Sequence, residues 1–222
     1  MEMVKNGIVY DVMPNEATVL RLRWEKTPDK SINIPSSVFG KEVKRIAPHA
    51  FQNSDIVGVI IPRTIHSIGD YAFANCKRLC HVEFGKKGRF PSELSVGEKA
   101  FLNCEYLTFV MGMGHWILAD SAFEGCKRMC LYGIVKEAGR HTFKGCEQLG
   151  DLHVLLGGKL DKYAFEEDSN LVVLPCGGPI IQEDISNILE SIVNARATIR
   201  CFASDPVANL VYEGYKVEIV QY

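Results

Sequence analysis

The sequence has neither an apolar run long enough to cross a membrane nor an excess of basic residues. Nothing in its 222 residues approaches the roughly 18 consecutive apolar residues that a transmembrane helix requires. The net charge is −2, so the chain has no basic field with which to hold nucleic acid or an anionic membrane surface. We therefore expect no nucleic-acid partner and no insertion into a membrane.

A signal peptide is also lacking at the start of the sequence. Residues 1–7 contain neither the apolar core nor the small-residue cleavage site of such a signal. This leaves two expectations for the location of the protein. It is cytoplasmic if the chain is full length, and it is on the cell surface or secreted if the chain has been trimmed.

Catalytic and metal-binding patterns are missing as well. The six histidines are scattered, and no pair of His or Cys residues has the spacing of a zinc site. The run Gly112-Met-Gly114 lacks the third glycine and the following helix of a phosphate-binding loop. The sequence therefore predicts no enzyme activity, no cofactor and no metal.

Eight cysteines are present, but their positions do not favour disulfide bonds. Four of them stand three residues after a recurring Phe, at a place where Ser54 and Asp168 also occur. A position that accepts Ser or Asp is not an obligatory bridge, and free Cys is a small residue that is commonly buried. We expect all eight to be reduced, which favours a reducing compartment. The four cysteines that follow a recurring Phe are Cys76, Cys104, Cys126 and Cys146.

One pattern, built on a Phe that usually follows Ala, recurs through the middle of the chain. Successive copies of this Phe are separated by 22, 28, 22, 20 and 22 residues. Repeats of this length indicate a solenoid, in which no unit buries its apolar face alone. Each Phe is followed by an alternating strand pattern, which predicts the residues that point inward. The six repeat residues are Phe51, Phe73, Phe101, Phe123, Phe143 and Phe165. The residues predicted to point inward are Val82, Val110, Tyr132, Leu152 and Leu174.

The two ends of the chain do not carry this pattern and are predicted to cap the repeats. Residues 1–30 contain two β-rich runs around Met13-Pro-Asn-Glu16, which indicates an N-terminal β-hairpin cap. Residues 31–175 form one partial rung and six full units. Residues 176–222 contain two helical patterns and two strand patterns, which predicts a C-terminal α/β cap. Caps of this kind shield the open ends of a solenoid.

The repeat unit, written I-G-x-x-A-F-x-x-C-x-x-L-x-x-V-x-I-P, resembles the BspA-type (Treponema pallidum-type) leucine-rich repeat family. The resemblance covers about residues 31–175. It implies an α/β fold, a right-handed, horseshoe-like leucine-rich repeat solenoid with a concave parallel sheet and capped ends. It also implies a bacterial module for protein interaction or adhesion. No catalytic residue belongs to the family pattern.

A binding surface is expected at the outward positions of the strands, because the motif residues fill the core. The middle of this surface is apolar, and an exposed apolar surface marks interaction sites. The sequence therefore predicts a non-enzymatic scaffold that binds a protein partner through its concave face. The predicted contact residues are Ile60, His81, Glu83, Phe109, Met111, Leu131, Asp151 and His153.

The alternative is a surface adhesin or a glycan-binding module. Glycan recognition is less favoured, because it would require Trp and Tyr clustered beside Asp, Asn or Gln. The only two tryptophans are Trp24, predicted in the N-terminal cap, and Trp116, predicted in a loop before the fourth unit. Neither joins an aromatic cluster in the predicted arrangement.

Overall fold

The computed structural model describes residues 1–23, 31–85, 92–166, 171–176, 188, 190, 198–202 and 216–220. These residues form a β-solenoid of about six turns, with strands in almost every turn. The strands are β1 Glu2–Lys5, β2 Ile8–Val12, β3 Ala17–Leu22, β4 Ser31–Asn33, β5 Ser37–Val38, β6 Lys41–Ile46, β7 Gly58–Ile61, β8 Ser67–Ile68, β9 His81–Phe84, β10 Glu93–Val96, β11 Phe109–Leu118, β12 Cys130–Ala138, β13 Asp151–Leu160, β14 Val172–Cys176, β15 Thr198–Phe202 and β16 Lys216–Val220.

The strands of successive turns pair in parallel and form two arrays. The first array contains β4, β7 and β9, followed by the N-terminal part of β11 and then of β12. The second array contains β3, β6, β8 and β10, followed by the C-terminal part of β11 and then of β12. In β11 one continuous strand serves both arrays, with a register shift between Met111 and His115. The predicted parallel sheet is therefore present.

Antiparallel strands precede the second array. β2 and β3 form a hairpin, β1 pairs with the outer side of β2, and β3 continues in parallel into β6. At the other end, β15 and β16 extend the parallel sheet from β14, where two strands were predicted. The two helices predicted in residues 176–222 fall outside the described residues, apart from residues 188 and 190. The division into two caps and a repeat region stays a prediction.

Turns, not helices, connect the second array back to the first within the described ranges. We name these segments the Phe turns, because each contains a repeat Phe. Two residues of each of the first five turns have left-handed backbone conformations, as His49 (φ 59°) and Asn53 (φ 58°) do in the first. Such residues interrupt a right-handed helix. The helical layer that an α/β fold implies is therefore not confirmed.

The six repeat Phe residues form a stack in the core, as the spacing predicted. Each ring is at most 1% exposed, and neighbouring ring centroids are 4.9–5.9 Å apart with nearly parallel planes. Each Phe N–H also donates to the carbonyl of the residue that precedes the next Phe, as from Phe73 to Ala100 at 2.7 Å. Side chain and backbone therefore hold adjacent turns in the same register.

The cysteines that follow four of the repeat Phe residues add a second contact between turns. Their Sγ atoms donate to the carbonyl of the Phe one turn earlier, as Cys104 does to Phe73 at 3.1 Å. Burial raises the pKa of the Cys104 thiol, so the thiol keeps the proton that this bond needs. No disulfide bond joins the seven cysteines whose side chains the structure describes. The same bond joins Cys76 to Phe51, Cys126 to Phe101 and Cys146 to Phe123.

Trp116 lies in β11 and not in the predicted loop. Its side chain is only 1% exposed and meets Phe84 edge-on, with ring centroids 5.7 Å apart. The indole fills the space beside Gly112 and Gly133, where a Cβ would approach it to 2.6 and 2.3 Å. The prediction was wrong because two glycines on neighbouring turns leave room in the core for a large ring.

An asparagine ladder runs along the surface of the first Phe turns. Asn75 donates from Nδ2 to Asn53 at 3.2 Å, and Asn103 donates in turn to Asn75 at 3.4 Å. All three have left-handed backbones, with φ between 56° and 58°. Asn tolerates this conformation better than other non-glycine residues. Gly125 and Gly145 stand at the same place in the next two turns.

Replacing Asn75 separates the two contributions of this ladder. We expect Asn75→Ala to lower the free energy of unfolding by about 1–3 kcal/mol, because it removes two side-chain hydrogen bonds and strains a left-handed backbone. Asn75→Gly should cost less, because it loses the same bonds without the strain. Urea unfolding of the three proteins measures both values. Equal stability of the alanine and glycine variants would contradict this account.

Candidate functional site

Two rows of side chains lie on the face of the first array that points away from the core. We call this the outer face. In one row Ile60, Glu83, Met111 and Tyr132 occupy matching positions of β7, β9, β11 and β12. Parallel pairing without a register shift brings these residues side by side across the strands. The parallel row contains Gly58, His81, Phe109 and Cys130.

The centre of the outer face is apolar and exposed. Phe109 and Met111 are each 48% exposed, Tyr132 is 53% exposed, and Ile60 is 36% exposed. The rings of Phe109 and Tyr132 stack with centroids 6.3 Å apart and planes 20° apart. We name these four residues the apolar patch. Phe109 and Met111 therefore point outward from the sheet, as we expected from the sequence.

Leu131 does not belong to this patch, contrary to the prediction. It is 2% exposed and pairs with Val110, so it faces the core, while the predicted core residue Tyr132 points outward. The sixth unit shows the same displacement, because Val173 is buried and Leu174 is half-buried. Val82, Val110 and Leu152 are buried as predicted.

The strands of different units begin at different distances from the repeat Phe, and this difference explains the error. Counting a fixed number of residues from the repeat Phe assumes that every unit enters its strand at the same place. In the fourth unit the buried residues Met129, Leu131 and Val135 keep a spacing of two or four residues. Alternation read within the strand itself would have placed Leu131 in the core. The same signal would have identified Tyr132 as a surface residue.

Glu83 is the charged residue at the centre of the outer face. It is exposed and lies between Ile60 of β7 and Met111 of β11. It makes no ion pair with any residue in the part of the chain that the structure describes. The apolar patch is therefore interrupted by one carboxylate that no cation of the described residues matches.

His81 is half-buried and leans to one side of its strand. A Cβ built on Gly58 would lie 2.2 Å from Nε2 of His81, so the imidazole occupies the space above Gly58. Gly58 belongs to β7, whereas Phe109 pairs with His81 from the opposite side, in β11. The ring therefore lies away from Phe109 and leaves that side chain uncovered.

Asp151 and His153 lie beyond the apolar patch, on β13. Both are exposed, as predicted for residues that point outward. His153 pairs with Ile134, which pairs with His115, so His153 is in register with His115 and not with Met111. Met111 pairs instead with Tyr132, so His153 does not continue the row of Met111.

An ion pair lies at the second-array end of these strands. Lys136 of β12 reaches across β11 to Glu93 of β10. Hydrogen bonding to Glu93 raises the pKa of Lys136 above its ordinary value, so the ammonium stays charged. This cation is therefore already matched by a carboxylate. No group of three metal-ligating side chains occurs among the described residues.

The repeats match a known family model. The model of the BspA type leucine rich repeat region matches residues 44–172 with six copies. The chain belongs to this family. Because the match covers more than half of the chain, it confirms the resemblance that the motif residues indicated. The family is one of leucine-rich repeat proteins, not of enzymes. No helix in the described part of the chain is long and apolar enough to span a membrane.

A solved structure of a bacterial leucine-rich repeat protein shares the fold, and others are similar to this chain. A leucine rich cell surface protein from Faecalibacterium prausnitzii is 16% identical with a TM-score of 0.60, and the match covers 99% of this chain and 51% of that one. This chain thus spans about half the length of that protein. A leucine-rich repeat protein from Bacteroides capillosus is 21% identical with a TM-score of 0.48, covering 69% of this chain and 97% of that one. No curated protein matches the chain.

Replacing Gly58 tests the position of His81. In Gly58→Ala the new methyl group would occupy the place of the imidazole, so we expect the ring to leave its position above residue 58. The fold should persist, because alanine costs a strand less backbone entropy than glycine. A crystal structure of the variant, with thermal unfolding as the stability control, gives the answer. A ring that remains above residue 58 would contradict the described packing.

Proposed function

We propose that this chain is a non-enzymatic protein-interaction scaffold that binds a protein partner through the apolar patch on its outer face. The observation that carries this proposal is the exposure of four large apolar side chains on adjacent turns. Their exposed fractions range from 36% to 53%. Contiguous apolar surface on a soluble protein marks an interaction site. The four residues are Ile60, Phe109, Met111 and Tyr132.

The residue types and their support favour a protein partner. Aromatic residues and Met are enriched at the centres of protein interfaces. Phe109 and Tyr132 stack on each other, and both belong to strands that are paired on either side. A surface held in this way loses little conformational entropy when a partner binds. The patch is thus organised before the partner arrives.

Recognition of a glycan has less support from the aromatic residues. Trp116 is buried, and Trp24 lies outside the described residues. Tyr132 is the one aromatic side chain of the patch that carries a polar group. We therefore treat binding to a glycan as an outcome of the experiment and not as a second proposal.

Peptides selected on the native protein provide a test when the partner is unknown. A random peptide library displayed on phage is selected against the protein, and the bound peptides are measured by titration. The double variant Phe109→Asp/Met111→Lys should weaken these peptides at least about tenfold, because it places two charges on the desolvated centre of the interface. The side chains are exposed, so the fold should be retained.

Tyr106→Asp serves as the matched control. Tyr106 is 50% exposed, as the patch residues are, but it precedes β11 and stacks under Arg128 at 4.9 Å. Peptides that bind the patch should bind this variant as they bind the native protein. Equal binding to the double variant and to the native protein would refute the proposal. If the native protein and the Tyr106 control bind a glycan array and the double variant does not, the partner is a carbohydrate and not a protein.

A further inference from the structure

We propose that the partner inserts a Lys or Arg side chain flanked by apolar residues, and that Glu83 receives its positive charge. This inference rests on the proposed function, because it names the chemistry of the partner that the apolar patch binds. It is carried by the position of the Glu83 carboxylate inside an exposed apolar surface, where no cation of the described residues pairs with it.

Glu83 cannot be left out of an interface that covers the patch. It stands in one row between Ile60 and Met111, with one strand spacing to each side. A partner that contacts both apolar side chains must also cover the carboxylate between them. Covering it without a counter-charge would remove a charged group from water, which is costly. A cation on the partner removes this penalty.

Two other carboxylates of the chain, those of Glu2 and Glu93, have their charge matched within the chain. Glu2 forms a two-pronged pair with Arg21, with N–O distances of 3.1 and 2.7 Å. Glu93 is held by Lys136, as described above. Glu83 has no such partner among the described residues, so its charge is available to another molecule.

The surroundings of Glu83 suit a long cationic side chain. Lys and Arg place apolar stems along apolar surface while their charged ends reach a polar group. Met111 and Ile60 offer such surface on the two sides of the carboxylate. Because the His81 ring leans over Gly58, it leaves the approach from the side of Phe109 open. The stem can therefore lie beside Phe109 or Met111 with its cation on Glu83.

A second copy of this chain fits the same surface poorly. Two outer faces packed against each other would place two Glu83 carboxylates in one interface, and the patch contains no Lys or Arg to separate them. Like charges in an interface oppose association. We therefore assign the patch to a different, basic partner.

Parallel peptide selections on three proteins test this inference. Peptides selected on the native protein should be enriched in Lys or Arg next to apolar residues, whereas peptides selected on Glu83→Gln should lose this enrichment. Selection on Glu83→Lys should instead favour Asp or Glu. Peptides from the native selection should bind Glu83→Gln about tenfold more weakly at low salt, and the difference should shrink as salt is added.

Asp55→Asn is the control for a general loss of negative charge. Asp55 is exposed and precedes β7, outside both rows of the outer face. Its variant should bind the selected peptides as the native protein does. An equal loss in Asp55→Asn and Glu83→Gln would show a non-specific attraction and overturn the inference.

The failure of this inference differs from the failure of the proposed function. Peptides that depend on Phe109 but show no basic enrichment, and bind Glu83→Gln unchanged, would overturn the inference alone. Peptides that are indifferent to Phe109 would overturn both. The third possible outcome is that the patch binds a second copy of the chain. Light scattering would then detect a dimer that Phe109→Asp dissociates.

Discussion

The stacking of one turn on the next in a constant register is the constraint on which this structure depends. Six Phe rings follow each other at 4.9–5.9 Å, close to the roughly 4.8 Å between paired strands. The backbone bond from each Phe to the residue before the next Phe fixes the same spacing. The cysteines and the asparagine ladder repeat it at two further positions of the turn. A residue's position within its own turn therefore determines which side chains it meets in the neighbouring turns.

The outer face depends on this register as much as the core does. Val82 of β9 pairs with Val110 of β11 in the core, and the same register places Glu83 beside Met111 on the outer face. These two residues are far apart in the sequence, and only the stacking of their turns brings their side chains together. The patch is thus a property of stacked turns, and a single repeat would not present it. This explains why residues far apart in the chain form one contiguous surface.

Much of the fold could be predicted from the sequence, because the repeat residues make the same contacts in each turn. The Phe stack and the parallel pairing follow from residues such as Phe73 and Phe101. The strand register of the fourth unit could not be obtained from the repeat spacing, so Leu131 and Tyr132 were exchanged. Trp116 was misplaced because its site depends on glycines in two different turns. The candidate site needed the first of these corrections, since Tyr132 completes the patch.

The single carboxylate within the patch bears on self-association as well as on partner choice. Large exposed apolar side chains on a rigid sheet expose a protein to unwanted association. A charge that pairs with none of the described residues, placed at the centre of such a surface, opposes purely apolar contacts, including contact with a second copy. A partner that brings a cation avoids most of this desolvation penalty. Glu83 therefore gives the patch a selectivity that Phe109 and Met111 cannot provide, since apolar contacts alone do not distinguish one apolar partner from another.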